Sequence, residues 1–258
     1  MNLFEGRQVD YLPIDMVYHD LGHTLQATVC TAKILEGARA MLPPSMLSRR
    51  DCEVLLAAVL LHDTGFLKRK GDSEGTGAKY TLMHERRSCE FAAILLPRFG
   101  FANQEIVDVT TAIRCTGPGN RIARMAFSRP NARTLAAMLV TADYLAQMAA
   151  SDYVYELPFL YLEFEEGYDF AQVPPEERPF ASAADLIRKT PDFWGSFVRP
   201  MLDADLEGVY RYIPPLPDGN NPYIVAVERN IEHVRCLAKA PPVSLDPFLL
   251  PQRSVTSA

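Results

Sequence analysis

The sequence predicts an all-α protein, and three features carry this prediction. Apolar residues recur at helical spacing along almost the whole chain of 258 residues. Long runs that alternate apolar and polar residues, which are typical of strands, are absent. Helix-ending residues, such as Pro43, Pro44 and Gly100, separate the helical stretches.

The expected helices follow one another from residue 14 to residue 238. They cover residues 14–41, 51–63, 82–97, 103–115, 132–150, 155–167, 182–189, 191–212 and 222–238. The prolines at 43 and 44 should end the first helix, and Thr81 should cap the third. The polar, glycine-rich stretches 66–80 and 116–131 should be loops, and loops of this length in a helical protein suggest a function.

A change in composition near residue 151 divides the chain. Before it the helices are rich in Ala, Leu and Met, and after it Tyr, Phe and Pro become frequent. We therefore expect a chemical core over residues 1–151 and a helical extension over 152–258 that packs on it. The tail 240–258, which contains four prolines, should be extended.

The overall composition excludes several classes of protein. Hydrophobic residues make up 48% and charged residues 22%, which is ordinary for a globular protein, and the net charge of −6 argues against binding extended nucleic acid. The longest apolar run, residues 54–61, is far shorter than the ~20 residues of a membrane span. Five cysteines without a CxxC pair favour a reduced, cytoplasmic protein without a cysteine zinc site.

The first predicted helix contains an apolar stripe and a polar side. The stripe consists of Val17, Leu21, Leu25, Thr28 and Ala32. His19 and His23 lie four residues apart on the other side, so their side chains should project together. The alternative is that both histidines lie on a solvated face.

The second predicted helix ends in a histidine and an aspartate. Its apolar run 54–61 has no polar side, which indicates a buried helix, and His62 and Asp63 follow directly. A carboxylate beside the negative end of a buried helix needs a cation, which favours a pair of metal ligands. The alternative is an aspartate on the surface just beyond the helix.

Asp143 is a carboxylate in the apolar helix 132–150. Such a group is costly to bury unless it is paired with a cation or bound to a metal. Gln147 follows one turn later and Tyr144 is adjacent. The alternative is a salt bridge from Asp143 to an arginine or lysine.

The ordered set His23, His62-Asp63 and Asp143 resembles the pattern of the HD-domain metal-dependent phosphohydrolase superfamily. The stretch 18–24, YHDLGHT, is also similar to the YHNxxH signature of its cyclic-nucleotide phosphodiesterases, with Asp20 in place of the asparagine. The resemblance covers roughly residues 14–150 and implies an HD-domain-like helical bundle, which the C-terminal helical extension expected from the composition would follow. It also implies that these four residues are metal ligands and that His19 protonates the leaving group.

The same resemblance suggests a role for His84. Many members have a third histidine here, and in two-metal members another follows 25–35 residues later, where residues 113–116 contain none. We therefore expect one tightly bound divalent ion (Mn, Fe, Mg, Co, Ni or Zn) and an incomplete second site. His84 would bind substrate phosphate or a weak second ion, and His19, Asp63 and His84 are the expected catalytic residues.

Basic residues are enriched between these motifs, although the chain as a whole is acidic. Cations on the predicted loops can bind phosphate, or they can simply form a solvated face. The expected substrate-binding residues are Lys68, Lys79, Arg87, Arg114, Arg121 and Arg124 for the phosphate, with Tyr144 and Gln147 for the organic part.

Together these features predict a metal-dependent phosphohydrolase. Its expected partner is a small phosphate monoester or phosphodiester, nucleotides included. Two alternatives stay open: a non-catalytic, nucleotide-binding regulatory HD module, and a di-iron oxygenase. The aromatic extension either closes the pocket or forms a homodimer surface.

Overall fold

The computed structural model of the chain describes residues 4–7, 10–43, 45–117, 119 and 121–239. These residues form an all-α fold, as predicted, and their one β contact is an isolated bridge between Tyr11 and Arg69. Among them, no helix is both long enough and apolar enough to cross a membrane. The predicted extended tail, 240–258, lies outside the described residues.

The helices are numbered in chain order. They are α1 (Leu21–Met41), α2 (Arg49–Leu61), α3 (His84–Leu95), α4 (Asn103–Arg114), α5 (Pro130–Ala149), α6 (Tyr153–Phe170), α7 (Ala183–Phe193), α8 (Arg199–Asp203) and α9 (Pro222–Ala238). Short 3-10 turns lie at Thr64–Phe66, Gly77–Tyr80, Leu96–Phe99, Ile122–Arg124, Pro175–Glu177 and Val209–Tyr212.

Three of the predicted helices differ in the structure. The third begins at His84 after Met83, so Thr81 does not cap it. The first begins at Leu21 and not at residue 14, because Asp20 caps it by accepting a hydrogen bond from the His23 amide at 2.9 Å. The predicted helix 191–212 is broken into the end of α7, a π turn at Trp194–Val198, the short α8 and a 3-10 turn. Pro191 and Pro200 each remove a backbone donor from this segment.

Helix α5 lies at the centre of the fold and packs against α1, α2, α4 and α9. The main apolar core runs through both halves of the chain. Ile34, Leu55 and Leu139 belong to it from the first half, and Leu202 and Val227 from the second. The expected extension therefore packs on the expected core, while the boundary at residue 151 stays a prediction.

The buried face of α1 is not the apolar stripe that the sequence suggested. Val17 is 50% and Leu25 is 45% exposed, whereas Ala27, Cys30 and Ile34 are fully buried. Small side chains allow α1 to approach α5 closely, and His23 lies on this buried face, one turn before Ala27. Because this face is buried, the side chain of His23 lies in the interior.

An arginine joins three of the helices that surround the interior. Arg129, at the start of α5, forms ion pairs with Asp51 of α2 at 2.6 Å and with Asp108 of α4 at 2.9 Å. Asp51 and Asp108 are buried. Arg129 thus supplies the cation that these two carboxylates require.

Candidate metal centre

Four polar side chains from three helical regions meet in the interior. His23 lies in the first turn of α1, His62 and Asp63 follow the end of α2, and Asp143 lies in α5. His23, His62 and Asp63 are all buried, and one ligand atom from each lies within 4.8 Å of the others. This His-His-Asp group is close enough to bind one metal ion.

Asp143 belongs to the same cluster. Its Oδ1 lies 3.2 Å from His23 Nε2 and 3.5 Å from His62 Nε2. Asp63 Oδ2 lies 3.2 Å from each of the same two nitrogens, and the nitrogens are 3.4 Å apart. Asp143 thus contacts both imidazoles of the His-His-Asp group, and its role as a fourth ligand stays a prediction.

The donor spacing fits a metal ion of ordinary size. With metal–ligand bonds of about 2.1 Å, neighbouring donors lie about 3.0 Å apart in an octahedron and about 3.4 Å apart in a tetrahedron. The contacts of 3.2 to 3.5 Å that link the imidazoles to the carboxylates fall close to this range.

Hydrogen bonding orients the donor atoms toward the centre. His62 donates from Nδ1 to the carbonyl oxygen of Val59 at 2.7 Å, which leaves the Nε2 lone pair of the neutral ring directed at the cluster. Asp63 Oδ2 is buried and has no hydrogen-bond donor among the described residues. A lone pair and an unsatisfied carboxylate oxygen that face one point require either a cation there or protons on the two imidazoles.

The charges of the cluster lead to the same requirement. Burial lowers the pKa of His23, but the contacts with Asp143 and Asp63 outweigh burial and raise it to about 9. Burial likewise opposes protonation of His62, yet the charge of Asp63 and the contact with Asp143 raise its pKa well above the usual value. The two carboxylates therefore need two protons or one divalent cation.

The turn after α2 is held by backbone contacts. Ser88 of α3 donates to the carbonyl oxygen of His62 at 2.5 Å and accepts from the amide of Gly65 at 2.8 Å. A Cβ atom on Gly65 would lie 1.9 Å from the carbonyl oxygen of His84, so only glycine fits here. This close packing fixes His62 and Asp63 relative to α3.

His19 lies beside the cluster and forms a pair with a buried glutamate. Its Nδ1 is 2.6 Å from Glu163 Oε2. The other carboxylate oxygen of Glu163 accepts hydrogen bonds from the backbone amides of Val17 at 3.1 Å and Tyr18 at 2.7 Å. Glu163 therefore fixes the His19 ring and leaves its Nε2 for other contacts.

His84 approaches the cluster from another side. Its Nδ1 donates to the carbonyl oxygen of Thr81 at 2.7 Å, and its Nε2 lies 3.8 Å from Asp63 Oδ1. The His84 and His19 rings both stack against Phe66, with centroid distances of 4.3 and 4.8 Å. Four of the five histidines of the chain thus gather here, and His233 contacts Tyr155 elsewhere.

Three of the predicted phosphate-binding cations are engaged within the protein. Lys68 is buried and pairs with Asp15 at 2.7 Å, and Lys79 is buried against Asp72. Arg87 donates to the carbonyl oxygens of Gly65 at 2.6 Å and Leu67 at 2.8 Å. All three hold the segment 65–80 in place, and their role in phosphate binding stays a prediction.

The other predicted substrate residues lie in different places. Gln147 accepts a hydrogen bond from Tyr18 and lines, with His23, a small pocket of about 60 Å³ that also contains acidic side chains. Tyr144 and Arg121 line a separate cavity. Arg114 and Arg124 are exposed, and no contact joins them to the cluster within the described chain.

Glu163 is the main residue that the sequence analysis missed. It lies in α6, in the acidic stretch LEFEEG, where one glutamate cannot be told from its neighbours. The sequence contains one sign of this contact, Gly167, which lies one turn after Glu163. A Cβ atom on Gly167 would lie 2.7 Å from the side chain of Thr81, so α6 approaches the 3-10 turn closely at this position. A glycine inside a helix can reveal such a contact.

Comparison with known proteins does not place the chain in a family. No protein-family model matches it, and neither does any curated protein. The resemblance of His23, His62-Asp63 and Asp143 to the HD-domain pattern therefore stays a prediction.

Proposed function

We propose that the chain is a metal-dependent phosphohydrolase that cleaves a small phosphate monoester or phosphodiester. The observation that carries this proposal is the buried meeting of His23, His62, Asp63 and Asp143, beside a histidine held by a glutamate. Two imidazoles and two carboxylates suit one divalent ion of the Mn, Fe, Mg, Co, Ni or Zn group.

A divalent ion held by these four residues supplies Lewis-acid polarisation of a phosphate ester and a nucleophile at neutral pH. His19 is the residue that would protonate the leaving group. Glu163 holds Nδ1 of its ring, so Nε2 can deliver a proton to the departing oxygen. Glu163 is therefore a positioning residue for His19.

His84 adds a further donor at the edge of the centre. Because its Nδ1 is bound to Thr81, its Nε2 is the atom that faces Asp63. In this position His84 can bind a phosphate oxygen or a weak second ion. Because Lys68 and Lys79 are paired inside the protein, His19 and His84 would be the groups that face a phosphate bound at the centre.

The test is a phosphate-release screen of the full chain with each of these metals over nucleotides, cyclic nucleotides and sugar phosphates. Activity should require a metal and should be lost in His62→Ala and Asp143→Ala. His233→Ala, which alters the histidine outside the centre, is the matched control and should remain active. Nucleotide binding without any release would favour the regulatory module, and iron with oxygen consumption would favour the oxygenase.

A further inference from the structure

A second cavity, of about 240 Å³, lies on another face of α5 and shares no lining residue with the metal centre. Asp143 and Gln147, one turn apart, face the centre and its small pocket. Val140 and Tyr144, also one turn apart, line the second cavity. The helix thus separates two sites.

The interior of this cavity is apolar. Ile122, Val140 and Leu206 are buried in its wall, and Tyr144 and Phe197 add aromatic surface. Phe197 comes from the π turn Trp194–Val198, a widened helical turn of the kind that often accompanies functional sites. The wall combines residues from both halves of the chain.

Two opposite charges also line the cavity. Arg121 comes from the loop before α5, and Asp205 comes from the loop after α8. Within the described part of the chain, neither side chain forms an ion pair or hydrogen bond, with the other or with any third residue. A ligand with a single charge would satisfy one of them and oppose the other.

We propose that this cavity binds a small zwitterion with an apolar body, of the class of α-amino acids with a large apolar side chain. Arg121 binds the carboxylate and Asp205 binds the ammonium group. The side chain of the ligand lies among the apolar residues and against Tyr144 and Phe197. This site is independent of the proposed hydrolysis.

The test is calorimetric titration of the full chain with L-phenylalanine and L-leucine. L-Phenylalanine should bind at least about tenfold more tightly than 3-phenylpropanoate, which lacks the ammonium group, or 2-phenylethylamine, which lacks the carboxylate. This factor is the loss of affinity expected when one charge-assisted hydrogen bond is missing. Failure of both amino acids to bind, or equal binding of all three phenyl compounds, would overturn the proposal.

Charge-removing variants assign the two ends of the ligand. Arg121→Gln should lower the affinity for L-phenylalanine by a similar factor and remove its advantage over 2-phenylethylamine. Asp205→Asn should also lower the affinity for L-phenylalanine, and it should remove the advantage of L-phenylalanine over 3-phenylpropanoate. Arg124→Gln, which alters an exposed arginine that does not line the cavity, is the matched control, and equal effects of Arg124→Gln and Arg121→Gln would contradict the assignment.

Discussion

Replacement of Arg129 by methionine should destabilise the fold strongly. The variant removes the cation shared by Asp51 and Asp108, which are 4% and 3% exposed. Breaking a buried ion pair costs about 3–5 kcal/mol. The Arg129 side chain is 34% exposed and each carboxylate keeps a serine hydroxyl donor, so the lower end, about 3 kcal/mol, is expected. For a chain of this size that corresponds to a melting temperature lower by about 6–12 °C.

The effect should depend on pH in a defined direction. Burial raises the pKa of Asp51, but hydrogen bonds from Ser48 and the pair with Arg129 outweigh burial and hold it below the usual value. The stabilisation is therefore complete above the ordinary carboxyl pKa of about 4 and is lost as the pH falls through the lower folded value. The difference between wild type and variant should stay constant from pH 7 down to about pH 4 and should narrow as the pH falls further.

Urea unfolding at several pH values measures this difference. Arg133→Met is the matched control, because Arg133 lies in the same helix and pairs with Glu207 at 2.8 Å on the surface. Loss of such a pair should cost about 0–1 kcal/mol. Equal destabilisation by the two variants, or a difference that does not change with pH, would refute the role given to Arg129.

Three further variants test the centre and its support. His19→Ala should lower kcat by about 10²–10⁴-fold while the metal content is unchanged, and loss of metal would instead make His19 a ligand. Glu163→Gln should lower kcat by at least about tenfold, whereas Glu165→Gln on the same helix should not, and equal rates would remove Glu163 from the mechanism. Gly65→Ala should cost about 1–3 kcal/mol of stability because its Cβ would meet the His84 carbonyl at 1.9 Å, so an unchanged melting temperature would contradict that contact.

Three members of the cluster were predictable as buried polar groups because each breaks a local rule. Asp143 is a carboxylate in an apolar helix, and His62 and Asp63 end a run with no polar side. Buried polar groups of this kind need a hydrogen-bond partner, an opposite charge or a metal ion, so the sequence alone predicted that each of them has such a partner. These local features did not join them to His23, which the sequence analysis added only through the resemblance to the HD-domain pattern.

The predicted buried stripe of α1 was wrong because the large apolar side chains of that stripe are not the ones that the fold buries. Large residues such as Leu25 and Val29 are exposed, while small ones such as Ala27 and Ala38 are buried against neighbouring helices. Close packing of helices selects for small side chains, which a pattern of apolar residues does not reveal. The pattern of apolar residues also could not identify Glu163, because its partner His19 lies 144 residues away in the chain.

The central claim is that His23, His62, Asp63 and Asp143 bind one metal ion, and elemental analysis of the purified chain tests it most directly. The wild type and His233→Ala should retain one divalent ion per chain after dialysis, and metal should raise their melting temperature. His62→Ala and Asp143→Ala should lose both the ion and the metal-dependent shift while they keep a helical circular-dichroism spectrum. Retention of one ion per chain by both folded variants would contradict the claim.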